Sequence, residues 1–588
     1  MPARESRRPA GRPIPERLDP ERAEGSGSGE IVADAPPAAG LGEGDAPSAA
    51  PRTGDGGPFQ SSLAGGGEPP DREPTTVSAR ALRGRAQPRT AILVALAVCV
   101  ALAALSAVLL PTVPSYDPWA WIVWGREVFD PHLGFATGGG PSWKPLPVIF
   151  TAVLGLFGGA APTLWVITAR AGGLLALAAA WRLGSRLARG PDLGAGGEGA
   201  VGLSVSGGQV PAARPSVARL AGPIAGLVAV LGVLLTQDYS YYMFRGASEP
   251  MLIATVLWAI DRLLDGRHAQ AFVLAVGAGL IRPEAWPFLG LYALWLWFSE
   301  PRLRVLVLAG LAAIPLFWFV PTWIGSGQPF LAASHAKAYN GHLGGHPALE
   351  ALRRSADLQV LPALIAAAVA VAFAFGKRVR DRRVLVLAAG ALAWIALVVA
   401  MVLAGYPGLE RFFLPASAII CVLAGVGVAR VSVLAGRGLS RGSGGGLATL
   451  VVAGVLIAVS IPLSSSRIDT AVAQRAIADR AVATLSQLSA AVRAAGGHRK
   501  VFPCRSSFAA VNHAAQTALA WKLHVTLGRV GTSLRKPGVD FIGPHNSIDG
   551  APAPVRSTLT GMALLAQTGV WRVVRVTLPG HSNACVGR

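Results

Sequence analysis

An all-α polytopic membrane domain of about eleven helices, followed by a small α/β domain, is the fold class that three features of this 588-residue sequence predict. Apolar runs near membrane-spanning length recur between residues 91 and 463. Charged residues make up only 14% of the chain and hydrophobic ones 52%, with a mean hydropathy of +0.47. Soluble domains carry about 25% charged residues, so an ordinary soluble enzyme is excluded. Finally, residues 464–588 regain mixed polar patterning over a length that suffices for one small domain. The net charge of +21, from 53 Lys and Arg against 32 Asp and Glu, is spread over loops and the N-terminal tail. No compact basic region with interleaved aromatics accompanies it, so the expected partner is the lipid bilayer and not nucleic acid.

Residues 1–90 are rich in Pro, Gly, Ser, Arg and acidic groups and cannot bury enough apolar surface to offset chain entropy. They are expected to be a disordered cytoplasmic tail, drawn at most weakly to anionic lipid. The first apolar run, 91–110, follows Arg80, Arg83, Arg85 and Arg89, which predicts an anchor with its N-terminus in the cytoplasm. It does not read as a secretory signal, because about 90 residues precede it and no small-residue cleavage site follows. Further spans are predicted at 162–182, 221–236, 250–264, 269–281, 285–299, 305–320, 359–376, 384–404, 412–429 and 447–463, leaving the C-terminal segment outside. Charge supports this order: the five loops expected in the cytoplasm hold 17 Lys and Arg, and the four expected outside hold 7. Within 269–299, Arg267 and Arg302 flank both ends, so two short helices meeting at Arg282-Pro283-Glu284 fit better than one kinked helix. Ionisable groups at such depth are costly and usually paired or functional.

Three outward segments concentrate the polar chemistry. The first, 111–161, contains Tyr116-Asp117-Pro118-Trp119-Ala120-Trp121, then Trp124-Gly125-Arg126-Glu127, then Gly138-Gly139-Gly140 and Ser142-Trp143-Lys144-Pro145-Leu146-Pro147. Residues 118–129 and 147–157 are expected to be amphipathic helices on the outer surface, with the tryptophans as interfacial anchors or sugar-stacking platforms. Asp117, directly before a proline, reads either as a helix N-cap or as a general base toward a membrane-delivered substrate. In the second segment, Glu249 opens a span before Pro250 and carries the same two readings, while Arg245 stands just upstream. The third, 325–359, holds His335, Lys337, Tyr339, Asn340, His342 and His346. Gly341, Gly344 and Gly345 argue for a loop there and against a zinc-binding helix.

With these elements in place, the order and sidedness of the motifs resemble the GT-C fold, integral-membrane glycosyltransferases that use polyprenyl-phosphate sugars, such as the protein O-mannosyltransferases and the lipid A aminoarabinose transferases. The elements that carry the resemblance are the first span followed by Asp117, the long outer loop with Lys144-Pro145-Leu146-Pro147, Ser248-Glu249-Pro250, Leu280-Ile281-Arg282-Pro283-Glu284, and Glu410-Arg411-Phe412-Phe413-Leu414-Pro415. It covers roughly residues 90–465. It implies an inverting transferase acting on the outer face, with Asp117 as the leading catalytic carboxylate and Glu249 as a second acidic residue that orients sugar or acceptor. Lys144, Arg245, Arg282 and Arg411 are the candidates to neutralise the lipid phosphate, with Glu284 and Tyr116 also in the substrate site. Here a single Asp117 preceded by Tyr116 replaces the family's acidic pair, and Lys144 stands where a His is usual. No cofactor is required by this reading, no metal ligands are assigned, and divalent-metal use stays open. The acceptor is a glycan, lipid or secreted protein of the cell envelope.

In the segment 464–588, residues 467–495 have helical spacing and stop at Gly496-Gly497. Residues 500–504 and 571–578 read as strands, with 508–523 helical between them. Cys99 and Cys421 lie in apolar runs and read as packing residues, whereas Cys504 and Cys585 suit a disulfide if this segment faces an oxidising compartment. The richness in Arg, Ala and Gly fits a GC-rich bacterial genome, and the expected location is a bacterial plasma membrane. Two other classes compete with the transferase: a transporter or flippase for an anionic lipid or glycan, using Arg282 and Glu284, and a noncatalytic scaffold presenting the C-terminal domain.

Overall fold

The structure, a computed structural model, describes residues 88–130, 132–189, 215–338, 343, 345–376, 380–439, 445–504, 507–534, 538–543 and 561–577. Of the expected N-terminal tail, 1–87 lie outside these residues and 88–90 open the first helix. The chain runs through α1 (Pro88–Leu109), α2 (Tyr116–Phe129), α3 (Pro145–Gly155), α4 (Ala161–Ala188), α5 (Pro215–Leu234), α6 (Tyr239–Phe244), α7 (Glu249–Leu264), α8 (His268–Ile281) and α9 (Trp286–Ser299). It continues through α10 (Arg304–Ser326), α11 (Leu331–Ala338), α12 (Pro347–Asp357), α13 (Leu361–Ala374), α14 (Arg382–Leu403), α15 (Leu414–Leu439) and α16 (Gly445–Ala494).

A helix coincides with each of the eleven predicted segments, but the count of eleven crossings does not follow from that. Among the described residues five helices are long and apolar enough to cross a membrane: Gly158–Ala188, Pro301–Ser326, Arg382–Leu403, Leu414–Leu439 and Gly445–Ala494. A sixth is added if α12 and α13, bent by 94°, form one broken span. The shortfall is one of length. At 1.5 Å per residue, the 14 residues of α8 or of α9 rise only about 21 Å, short of a hydrocarbon core of about 30 Å.

The helix α15 is the axis of the bundle, buried along most of its length and packed against α4, α5, α13, α14 and α16. Its small residues make this possible: a Cβ on Gly425 would meet the Ala225 carbonyl of α5, and one on Gly427 the Ala366 carbonyl of α13. At the end of α7 away from Glu249, buried Asp261 pairs with Arg182, Arg186 and Arg262, tying α4 to α7.

The second half of α16 leaves the bundle and packs on a small domain made of α17 (Gly497–Val501), β1 (Phe508–Val511), α18 (His513–Leu523), β2 (Val530–Gly531), β3 (Gly538–Ile542), β4 (Gly561–Thr568) and β5 (Trp571–Thr577). The sheet order is β2-β1-β3-β5-β4, with β1 parallel to β2 and β3, and β5 antiparallel to β3 and β4. The α/β character and the strand at 571–577 match expectation. The strand expected at 500–504 does not form. Gly496 and Gly497 take positive φ, and His498 Nδ1 lies 2.9 Å from the Leu523 carbonyl, which fixes a helical turn instead. The helix expected from 508 starts only at 513, because Asn512 caps it by accepting the Ala515 N–H at 3.1 Å and leaves 508–511 free to pair as β1. Cys504 is disulfide-bonded, and its expected partner Cys585 lies outside the described residues.

Candidate active site

Asp117, Lys144, Glu249 and Arg282 each stand immediately before a proline. Proline starts helices well and lacks an N–H to leave unpaired, so each such pair sits at the head of an element, and Lys144 and Arg282 keep extended backbone there. The fold brings these four heads together. Lys144 Nζ donates to Ser248 Oγ at 3.1 Å and lies 3.4 Å from Glu249 Oε1. The Arg282 guanidinium reaches the same Glu249 oxygen at 2.5 Å and Glu284 Oε1 at 3.4 Å.

Asp117, in the first turn of α2, pairs with the Arg411 guanidinium at 3.1 Å. Arg411 comes from a single turn, Glu410–Phe412, that leads into α15. The aromatic rings form the walls: Lys144 lies over Trp121 at 5.0 Å and Arg282 over Phe412 at 4.7 Å.

The alternatives left open at the sequence level are therefore resolved in local terms. Neither Asp117 nor Glu249 caps its helix; the N-cap positions belong to Ser115 and Ser248, and both carboxylates are spent on cations. Arg282 does pair with Glu284, but also with Glu249. Arg411 turns to Asp117, while its neighbour Glu410 faces Arg354 at 3.7 Å.

Lys144, Glu249, Arg282 and Glu284 are buried, and Asp117 and Arg411 are half-buried. Burial pulls the Lys144 ammonium down to about 8 against the opposing pull of Glu249. Three cations balance three carboxylates, yet not every polar atom is satisfied. Among the described residues, buried Nε of Arg282, Nε of Arg411 and Oε2 of Glu284 have no hydrogen-bond partner. Such groups cost about 1–3 kcal/mol each, and a site that keeps several is suited to a polar ligand.

Two further predicted residues lie at or beside the start of α2. Arg245 is buried beside the start of α2, where its carbonyl accepts the Ser115 N–H at 3.0 Å. Tyr116 directs its hydroxyl away from the cluster, to Gln516 Oε1 of the C-terminal domain at 3.1 Å.

Ser248 and Trp121 stand within the sequence motifs, but neither was assigned to the cluster, and the part played by α18 was not expected. The α18 residues, about 400 positions away from α2, carried no local signal. The tryptophans expected at the membrane interface are a correction: Trp119, Trp121, Trp124 and Trp143 are all buried within the protein, because α3 covers one side of α2 and α18 another.

Arg126 builds part of this contact, and Glu127 ties α2 to the loop that follows it. Arg126 donates to the carbonyls of Trp521 (3.2 Å) and Val525 (3.0 Å), and Glu127 accepts the Ala136 N–H at 3.1 Å. Among the described residues no three His, Cys, Asp or Glu side chains are placed to hold a metal. Of the third-segment residues, Tyr339, Asn340 and His342 lie outside the described residues, and His335 Nδ1 sits 3.5 Å from the Pro141 carbonyl.

No protein-family model matches the chain, and no curated protein matches it in sequence. Among solved structures, the chain is similar to ArnT from Cupriavidus metallidurans bound to undecaprenyl phosphate, with a TM-score of 0.45 and 13% identity over 85% of this chain and 100% of that one. It is similar to the same protein in the apo state with a TM-score of 0.45 and 14% identity, over 83% of this chain and 98% of that one.

Proposed function

We propose that the protein is a membrane glycosyltransferase that moves a sugar from a polyprenyl-phosphate donor to an envelope or secreted acceptor. The observation that carries this reading is the convergence of Asp117, Lys144, Glu249, Arg282, Glu284 and Arg411 from separate helix ends into one buried or half-buried cluster, beside the end of the first apolar helix.

The acceptor hydroxyl attacks the anomeric carbon and gives its proton to the Asp117 carboxylate. The bond from that carbon to the phosphate oxygen breaks, and its electron pair leaves on the polyprenyl phosphate. Negative charge grows on that phosphate, where Arg411, Arg282 and Lys144 stabilise it in a water-poor setting. Glu249 holds Lys144 and Arg282 in place. One displacement inverts the anomeric centre.

The test is transfer of radiolabelled sugar from a panel of polyprenyl-phosphate sugars in membranes containing wild type or Asp117→Asn at equal expression. The expected result is transfer by wild type and a loss of about 10²–10⁴-fold in the variant. Equal transfer by both proteins removes Asp117 from the chemistry. Absence of transfer from every donor favours the transporter reading, which rests on the interrupted pair α8 and α9 with Arg282 and Glu284 at its break.

A further inference from the structure

A second place on the molecule is built for an anion. Between the C-terminal domain and the membrane-proximal chain lies an open cleft of about 490 Å³ that none of the six clustered residues lines. One wall is Thr112, Val113 and Pro114, the chain just after α1; another is Pro162 and Thr163, at the start of α4. Across from them stand Lys522 of α18 and Arg493 of α16, with Trp119 and Trp521 between.

The charge is one-sided. Among the described residues neither Lys522 nor Arg493 forms an ion pair with a carboxylate; Lys522 Nζ donates to Ser489 Oγ and lies 5.9 Å from the Trp119 ring centroid. Burial, and then the charge of Arg493, pulls the Lys522 ammonium down to about 8. Two cations held near one another beside aromatic walls attract an anion.

The cleft also lies beside the ends of two apolar helices. It is lined by the chain just after α1 and by the start of α4, a candidate span, and apolar side chains close in sequence to both are exposed: Leu109, the last residue of α1, by 66% and Phe157 by 62%. A ligand there can keep acyl chains in the bilayer while its headgroup enters the cleft.

We propose that this cleft binds the phosphate of a lipid headgroup, with Lys522 and Arg493 as its cationic partners and Trp119 and Trp521 flanking the polyol attached to it. The site is independent of the transfer reading, and its test needs no activity.

The full chain in detergent is titrated with phosphatidylglycerol or phosphatidylcholine and bound lipid is counted by native mass spectrometry, for wild type, Arg493→Gln and the double variant Lys522→Gln/Arg493→Gln. Phosphatidylglycerol binds wild type more tightly than phosphatidylcholine does, about 3-fold more weakly to Arg493→Gln, and about tenfold more weakly to the double variant. Arg493 is exposed, so its single variant reads binding without a risk to folding.

Inorganic phosphate as competitor separates two sources of the same chemistry. If it displaces the lipid, the anion alone is recognised; if it does not while the variants still lose lipid, the whole lipid, headgroup and acyl chains together, is recognised. Equal phosphatidylglycerol binding by wild type and both variants overturns the proposal.

Discussion

The ring of Tyr116 lies stacked on the imidazole of His513, with centroids 4.0 Å apart and planes 26° from parallel. This contact joins the turn that carries Asp117 to the first residue of α18. Two hydrogen bonds reinforce it: the Tyr116 hydroxyl to Gln516 at 3.1 Å, and the Thr517 hydroxyl to the Tyr116 carbonyl at 2.9 Å. The small domain therefore holds the backbone next to the proposed base.

Thr517→Val keeps the shape and removes the donor to that carbonyl. The expected cost is about 1 kcal/mol of stability. Under the transfer reading, kcat falls while KM for the donor stays near wild type, because Thr517 acts only through the placement of Asp117. Thermal unfolding together with separate kcat and KM values checks this; a pure change in unfolding temperature reduces Thr517 to a structural role.

Glu249 is the shared anion of Lys144 and Arg282, all three buried. Glu249→Ala leaves Lys144 without a carboxylate partner and Arg282 with only Glu284. Breaking such a pair from one side costs about 3–5 kcal/mol. The expected readout is a large drop in monodisperse protein after detergent extraction, with Glu249→Gln intermediate. Full retention by the alanine variant contradicts the assigned pairing.

Gly125 in α2 faces the backbone of Thr151 in α3, and a Cβ there would run into the Thr151 carbonyl group. Gly125→Ala must therefore push α2 and α3 apart, at an expected cost of about 1–3 kcal/mol. Gly290→Ala, where nothing lies near the added carbon, is the control and is expected to unfold like wild type.

Asp540, central in β3, is fully buried, and among the described residues neither carboxylate oxygen has a partner; its register neighbours are Ala510 and Val574. Burial pushes its carboxyl from 3.8 up to about 7. The folded state thus holds a proton that the unfolded chain releases. Stability falls as pH rises from about 4 to about 7 and then levels off. Asp540→Asn is expected to be more stable than wild type by on the order of 3 kcal/mol at pH 8, with a smaller gain at pH 5. Unfolding temperatures at both values test the sign.

What was legible in the sequence follows from how local each cause was. Asp117, Lys144, Glu249 and Arg282 announced themselves because charge beside an apolar run and before proline is a one-dimensional signal. That all four meet was an inference from sidedness and resemblance, and the geometry agrees with the meeting. The burial of Trp119, Trp121 and Trp124 was not legible, since a tryptophan on an amphipathic helix looks the same whether lipid or another helix covers it. Here α18 is part of that cover, and it belongs to a segment almost 400 residues further on. The 500–504 strand failed for a different reason: the strand-favouring pair Val501-Phe502 was outweighed by two glycines in left-handed conformation just upstream.

The helix α16 has a consequence for mechanics. Its 50 residues run unbroken from a membrane-length apolar stretch into the packing of the sheet domain, where the Trp571 indole donates to the Thr484 carbonyl at 3.0 Å and Gln487 accepts the Val570 N–H at 3.1 Å. At 1.5 Å per residue this is a rod of about 75 Å, bent at most where Pro462 interrupts its ladder. A domain mounted on a rod, and not on a flexible tether, sits at a set height and azimuth, so its reach is a single point in space instead of a volume to be searched.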